Sequence, residues 1–517
     1  MHPSDARVYE FLASLAAEHE QAEVGMGGAY RAGDIDRFNR GWQPESYSAD
    51  GAIGEAWDLA NRRIRDLTRN DSVVGPLKTT LVNHTIGTGI ETTAEVMVEG
   101  ELEEDFNEES DEHREDWIFE SDVAGKVCWP DQERELMDEM LETGDALLLE
   151  CQRKESDRLI PLCYQVLEAE QLDESRDRPR ANGQTAIIRG IEVDDQNVPI
   201  NYWLFDAHPE DPYQHYSPKS RPVPARRVIH LAAPGRPSQT RGMSLYAKLT
   251  QPARDIDTYL GSELTAAIIG SLLTVIHKVK NGGAALGFKG DGSTGASDVR
   301  TDEYGNPLVK LARGIVSRIP ADDDITVVDP KRPNQSAESF IRLMLTQIGM
   351  GGNVSRQRLT RDYTGNTFLA ARAARLDDQA AFRPLQFYVG RNLLMHVHRR
   401  VTAQLAAYGR FKHLTARTYA SSPRRWNRAD FLFPGIPEID VEKGTDALLA
   451  QLAAGLITHK EACATFGRKY RRVLKQRARE VAMIAKLEGL QVSYDRPSTP
   501  GGGRKDEKEE AAAGEES

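Results

Sequence analysis

The chain has 517 residues and carries 79 acidic side chains against 66 basic ones, a net charge of −13. That length exceeds what one hydrophobic core needs and predicts roughly two to four structural units, while the acidic balance argues against a conventional DNA-gripping protein, which needs basic surface to release counterions. The sequence shows no signal peptide, no apolar run long enough to span a membrane and no CxxC spacing among Cys128, Cys151, Cys163 and Cys463, so it reads as soluble, made in a cytoplasm, with reduced thiols and no membrane partner.

Residues 1–50 have few periodic apolar positions and read as an arm with at most one short helix, over about 5–20. Ile53, Trp57, Ala60, Ile64 and Leu67 then recur at helical steps, and a second helix through Leu77, Leu81 and Val82 stops at Gly87-Thr88-Gly89. Residues 99–116 hold eleven acidic side chains against Arg114 alone, which predicts an exposed loop or a solvated helix face, with an acidic contact surface for a neighbouring subunit or a cation as the functional reading. Pro130 opens another helix that Gly144 closes. Short β-like runs follow at Ala146–Glu150, Leu162–Leu167, Ala186–Val193, Ile200–Phe205 and Val228–Leu231, separated by Pro, Asp and Asn as in an antiparallel sheet.

Helical spacing returns over 243–276, where Ile256, Tyr259, Leu260, Leu264, Ile268 and Leu272 form a stripe. The Gly-rich stretch 282–305 predicts a loop, and Leu308–Leu311, Ile315–Ile319 and Ile325–Val328 predict strands. An amphipathic helix over Ser336–Met350, a Gly- and Arg-containing loop from Gly349 to Asn366 and a long Ala/Arg/Leu-rich helix over about 367–408 come next. Beyond the aromatic stretch Arg424–Pro437 lie a short helix through Leu448, Leu449 and Leu452, a capping box at Thr458-His459-Lys460-Glu461, and a last helix to about Leu490. The tail from Asp495 has no large apolar side chain and predicts disorder.

The chain has no GxxxxGK[ST] loop, HExxH, GxSxG or zinc-type cysteine spacing, and no catalytic residue, metal ligand or cofactor is assigned. His396 and His398 stand two apart on a predicted helix and point in different directions, which does not suit a metal. The strongest signal is charge contrast: residues 353–412 hold eleven basic side chains against three acidic ones. Arg356, Arg358 and Arg361, on the glycine-flanked loop, are the candidates for contact with DNA phosphates, which need no base sequence. Their competing role is pairing with acidic residues of a neighbouring subunit. Arg372, Arg375, Arg391 and Arg399 are candidates for subunit interfaces or a channel helix. The long apolar stripes would be left uncovered on a monomer and favour head-to-tail packing of copies into a closed ring.

Several runs in order carry a family resemblance: Arg63-Ile64-Arg65-Asp66-Leu67, Val82-Asn83-His84-Thr85-Ile86-Gly87-Thr88-Gly89, Thr143-Gly144-Asp145-Ala146-Leu147, Leu167-Glu168-Ala169-Glu170, Arg241-Gly242-Met243-Ser244-Leu245, and Asp362-Tyr363-Thr364 through to Ala371-Arg372. Over roughly residues 30–490 the chain resembles the lambda-type portal proteins of tailed phages. The resemblance implies an α+β portal-type fold assembled as a ring, with a mixed helix and sheet wing, a two-helix stem, a small α/β clip and a helical crown. The boundaries it implies are an arm over 1–50, the wing over 51–250, a stem helix over 251–275, the clip over 276–332, the returning stem helix over 333–349, a tunnel loop over 350–366, a long channel-side helix and return to the wing over 367–440, crown helices over 441–490 and a disordered tail over 491–517.

It also implies a dodecamer at a capsid vertex of the virion that nucleates head assembly and passes double-stranded DNA in during packaging and out on ejection. The implied partners are further copies of the chain, the terminase large subunit, major capsid and scaffold proteins, and head-tail connector proteins. Two other readings compete. One is a capsid-associated nuclease or maturation protease, for which loss of an activity on mutating Asp145 or Glu168 would speak; the other is a structural adaptor that never meets DNA.

Overall fold

The computed structural model describes residues 40–486 apart from 55, 182–183, 214–218, 234, 272–274, 279–323, 328–336 and 436–439, and gives only the backbone of 269–271, 275–278 and 324–327. The helix predicted over 5–20, the strands at Leu308–Leu311 and Ile315–Ile319, and the tail lie outside these residues.

The fold is α+β. Ser48 caps α1 (Ala49–Ile53) by accepting from the Gly51 amide, and α2 (Ala56–Asn70) and α3 (Val74–Thr85) follow. The predicted stripe is the buried one: Ile53, Trp57 and Ile64 enter the core, while Leu59, off the stripe, stays exposed. After β1 (Glu91–Ala94), β2 (Met97–Val98) and β3 (Glu101–Leu102), the acidic segment forms α4 (Glu104–Trp117). It is a helix with a solvated acidic face, the second of the two forms expected, and its other face is buried. Phe106, Ser110, Arg114 and Trp117 recur at helical steps and are buried, and the Asn107 side chain closes two bonds with the Val96 main chain, at 2.8 and 3.1 Å. The apolar and amide positions claim one side, so most of the carboxylates are left on the other.

The next helix, α5 (Trp129–Thr143), starts with Pro130 in its first turn and ends where Gly144 turns left-handed at φ 90°. A three-stranded antiparallel sheet in the order β10-β4-β5 joins β4 (Asp145–Gln152), β5 (Leu162–Leu167) and, further along the chain, β10 (Val228–Ala232). Between them β6 (Ala186–Ile188), β7 (Ile191–Val193), β8 (Pro199–Phe205) and β9 (Ser220–Pro224) form a four-stranded meander. The single strand predicted over Ala186–Val193 is a hairpin, because Arg189 and Gly190 both take positive φ. β4 is buried on both faces: Ala146 and Leu148 join the main helical core, and Leu147 and Leu149 join a second core with Ile191, Tyr202 and Val223. Burial on both sides explains why its sequence is an unbroken apolar run.

The two glycine-containing runs near residues 144 and 242 meet here. A Cβ on Gly242 would lie 1.8 Å from the Gly144 carbonyl oxygen, and one on Gly144 would lie 2.4 Å from the Met243 backbone, so only glycine lets the two segments touch. Beside this contact the fully buried Asp145 carboxylate accepts from Arg241 Nε, from His230 Nε2 at 2.9 Å and from the Gly242 amide at 2.6 Å. The Arg241 guanidinium lies over the Trp57 ring, 4.4 Å from its centroid. Burial pushes the Asp145 pKa up, but Arg241 and His230 more than offset it and hold the carboxyl below its ordinary range. This clasp places the root of the following helix.

That helix is α6 (Thr250–Ser271), which leads into β11 (Val275–Lys278); β12 (Asp324–Val327) pairs antiparallel with β11, and α7 (Ala337–Gly351) leads away. Tyr259 and Phe340 bring α6 and α7 together with ring centroids 4.8 Å apart. The predicted loop 349–366 contains a short helix, α8 (Arg356–Thr360). The long helix that follows is α9 (Phe368–Val389), which tolerates Pro384, then one wide π turn over Gly390–Leu394, then α10 (Met395–Ala407). Next come α11 (Ala416–Ser421), α12 (Pro423–Trp426) and β13 (Ala429–Leu432), which pairs with β1 and closes the body. The C-terminal helices are α13 (Val441–Ala453), α14 (His459–Thr465), with the predicted capping box at Thr458 and Glu461, and α15 (Tyr470–Lys486).

Candidate functional site

The candidate loop arginines sit where α8 packs between α3 and α9. Ser355 starts α8: its hydroxyl accepts from the Arg358 amide, and its own amide and hydroxyl donate to Asp378 of α9 at 2.6 and 2.8 Å. Arg358 Nε donates to the same carboxylate at 2.7 Å, and Asp378 is 3% exposed. The Arg358 guanidinium also donates to His84 Nε2 at the end of α3 and lies 5.8 Å from the Phe382 ring centroid. His84 stacks on Phe382 with centroids 4.9 Å apart, and Gln386 donates to the His84 carbonyl at 2.9 Å. Burial, reinforced by the Arg358 charge, lowers the His84 pKa to about 4, so at neutral pH its ring is uncharged and Nε2 can accept.

Each predicted arginine can now be placed. Arg358 is spent on the internal anchor. Arg356 Nη1 is 3.7 Å from Asp362 Oδ2 and is mostly covered. Arg361 ends α8 in the left-handed region at φ 56°, is exposed, and makes no ion pair among the described residues. Arg372 is exposed and Arg375 half-buried on α9, each with an interaction of its own. Arg375 and Arg358 line one open cleft of about 470 Å³ together with His84, Tyr363 and Phe368. Arg391, on the π turn, and Arg399, on α10, are exposed and belong elsewhere; Arg399 lines a separate cleft with Arg424 and Arg428. His396 and His398 are not brought together: His398 is buried and its pKa is lowered to about 3, chiefly by that burial, while His396 is exposed.

Chemically, the arrangement is a short rigid mount carrying one guanidinium that faces solvent. Among the described residues no group of His, Cys, Asp and Glu could hold a metal ion, and no helix is long and apolar enough to cross a membrane.

The family model described as phage portal protein, lambda family, matches residues 36–386, from before α1 into α9. This chain belongs to the lambda family of phage portal proteins. The portal protein of Escherichia phage N15 is 23% identical to it over 486 residues, covering 87% of this chain and 89% of that one. Portal protein B of Escherichia phage lambda is 22% identical over 511 residues, covering 92% of each. Among solved structures, a chain in the neck of a native gene transfer agent particle, computed with C12 symmetry, is similar at 12% identity and a TM-score of 0.41, covering 81% of this chain and 99% of that one. As a portal protein the chain is a structural component of the phage particle.

Within this portal protein, sequence reasoning missed the groups that organise the loop: Asp378, Ser355, His84 and Phe382. One clue was available. Asp377 and Asp378 are the only carboxylates between 363 and 412, in a segment crowded with arginines, and a lone acidic position there has an obvious partner to find.

Proposed function

We propose that copies of this chain close into a ring at the capsid vertex, through which double-stranded DNA is packaged and later ejected. The observation that carries this reading is apolar surface left without cover on the long helices. Leu264 on α6 is 63% exposed, Leu343 on α7 59%, and Leu369 and Phe387 on α9 74% and 70%. Stripes of that size are costly in water and are relieved when like helices pack side by side. A head-to-tail contact that repeats gives a ring where its rotation closes and an open filament where it does not, and the closed form is the one proposed.

In this reading the helix pair α6 and α7, joined through the β11–β12 pair, is the stem, and 276–332 is the clip that meets the terminase large subunit and then the head-tail connector proteins. Residues 51–250 form the wing against capsid and scaffold proteins, 350–366 the tunnel loop and 441–490 the crown. The ring holds twelve copies, in keeping with the C12 neck named above. Arg361 is the loop residue that meets phosphate, and Arg358 positions it through Asp378. Contacts of this kind attract the duplex without reading its sequence and let it slide.

Electron microscopy of the purified full chain tests the ring: annular particles with a central hole are expected, and a solitary molecule even inside assembled particles overturns the reading. Leu264→Glu is expected to shift the population from rings to free protomers. Charge reversal at Arg361 that leaves packaging untouched in ring-forming protein would favour the DNA-independent adaptor.

A further inference from the structure

The C-terminal helices are attached to the body in an unusual way. Among the described residues α13, α14 and α15 bury no side chain, and Leu474, Val481 and Met483 of α15 are exposed. What holds α14 and α15 is charge. Arg471 pairs with Glu104 at 3.2 Å, Lys469 and Arg472 with Glu91 at 3.1 and 3.4 Å, and Lys460 with Asp430 at 2.8 Å. Lys475 pairs with Glu108, and Lys460 also with Glu95.

The two sides are strongly and oppositely charged. Residues 468–486 carry eight basic side chains against Glu480, and residues 103–116 carry nine acidic ones against Arg114. They face each other across a groove of about 1060 Å³ whose walls include Glu104, Glu108, Glu112, Arg472, Lys475 and Arg479. The pairs made by Arg472 and Lys475 are open to solvent, with Lys475 and Glu108 at 50% and 54% exposure, so each is weak and screened by salt, whereas Lys469 is mostly covered. Arg468 and Arg479 make no ion pair among the described residues.

The spacing suits a regular polyanion. Arg472, Lys475 and Arg479 recur at three- and four-residue steps and so form a row about 10 Å long on one side of the helix. The row is cationic throughout, which suits backbone phosphate, a contact that carries no sequence information. We propose that α15 is a phosphate-binding helix for double-stranded nucleic acid, and that Glu91 of β1 and the acidic face of α4 mask it by holding carboxylates where phosphates would lie. The site is separate from the α8 loop, and the choice of duplex as occupant rests on the reading of the ring as a DNA conduit. A duplex exchanges one set of anions for another at α15, so the C-terminal helices are released from α4 as they engage it.

The test is binding of a labelled random-sequence duplex to the full-length protein, in the assembly state that electron microscopy shows for it, across a salt series. Glu91→Gln with Glu108→Gln removes the two carboxylates paired with Arg472 and Lys475 and is expected to tighten binding about tenfold, since each exposed pair is worth a few-fold. In that unmasked background Arg472→Glu, Lys475→Glu and Arg479→Glu together remove three phosphate contacts. Those contacts alone account for about a 40-fold loss of affinity between 50 and 200 mM salt, so the salt dependence flattens by that much. The swap Glu108→Lys with Lys475→Glu re-forms that pair and is expected to bind no tighter than the parent, which separates masking from misfolding.

Duplex binding that is indifferent to the α15 reversals, or a poly-glutamate peptide that competes as well as unlabelled duplex, overturns the proposal. Arg361→Glu serves as the control. If it alone abolishes duplex binding while the α15 changes do nothing, the conduit reading stands and the masked helix falls; if the protein forms no ring yet the α15 changes behave as expected, the reverse holds.

Discussion

Asp378→Ala is the sharpest test of how the candidate loop is held. The carboxylate is 3% exposed and accepts three hydrogen bonds, from the Ser355 amide, the Ser355 hydroxyl and Arg358 Nε, at 2.6, 2.8 and 2.7 Å. Removing it leaves a guanidinium whose side chain is only 18% exposed without its anion. Breaking a buried pair by deleting one partner costs about 3–5 kcal/mol, and the residual solvent access of Arg358 puts this case at the lower end, about 3 kcal/mol. The loss falls on the docking of α8 and not on the whole core, because Phe382 and the α3–α9 contact remain. At about 1.4 kcal/mol per decade, the opened state of α8 becomes roughly a hundredfold more populated. Amide hydrogen exchange reads this directly: the Leu359 and Thr360 amides should exchange about a hundredfold faster, with the Leu136 and Met140 amides of α5 unchanged. Asp377→Ala, one residue away and exposed, is the control and should change nothing. The pair Asp378→Leu with Arg358→Met should recover part of the protection, since it removes the orphaned charge but leaves the Ser355 amide and hydroxyl without their acceptor. A change under about threefold at Leu359 in Asp378→Ala would refute the anchoring argument.

Asp145→Ala takes from the fully buried Arg241 the nearer of its two anions, leaving Glu174 at 3.3 Å, and should lower stability by about 3 kcal/mol, read as a fall in the urea midpoint; Asp145→Asn, which keeps part of the hydrogen bonding, should cost less. His398, lowered to about 3, takes up a proton on unfolding below its ordinary pKa of 6.5 but stays neutral when folded. Its contribution is therefore complete above about pH 6.5 and is lost as pH falls toward 3, at about 1.4 kcal/mol per unit, and His398→Leu should remove that slope from urea melts run between pH 7 and 5. Glu133, pushed up to about 8 by burial, has the opposite sign: the folded carboxyl keeps a proton that the unfolded one loses above about 4.5, so stability declines as pH rises to 8, and Glu133→Gln should flatten that decline. Arg361→Glu, at an exposed unpaired position, should leave the melting midpoint within about 0.5 kcal/mol of the parent while reducing DNA packaged per particle.

Sequence alone determined the local elements, because their signals are local. The stripe through Trp57 and Ile64, the Pro130 start and Gly144 stop of α5, the apolar run of β4 and the capping box at Thr458 each depend on neighbours a few residues away. The family, too, was legible in runs such as Thr143-Gly144-Asp145 and Arg241-Gly242, which the structure brings together: the glycines touch and the aspartate holds the arginine.

Tertiary structure decided what each charge faces. Asp378 stands 20 residues from Arg358 and His84 stands 274 from it, distances over which no periodicity operates, and only the packing of α8 between α3 and α9 turned a basic loop into one anchored arginine and one exposed one. The acidic run at 99–116 does keep a solvated face, but its counter-charge on α15 lies more than 350 residues further along the chain and leaves no mark on the run itself. Coulomb interactions act through space and leave no pattern along a sequence; helical and strand periodicities arise from bonded geometry, which does.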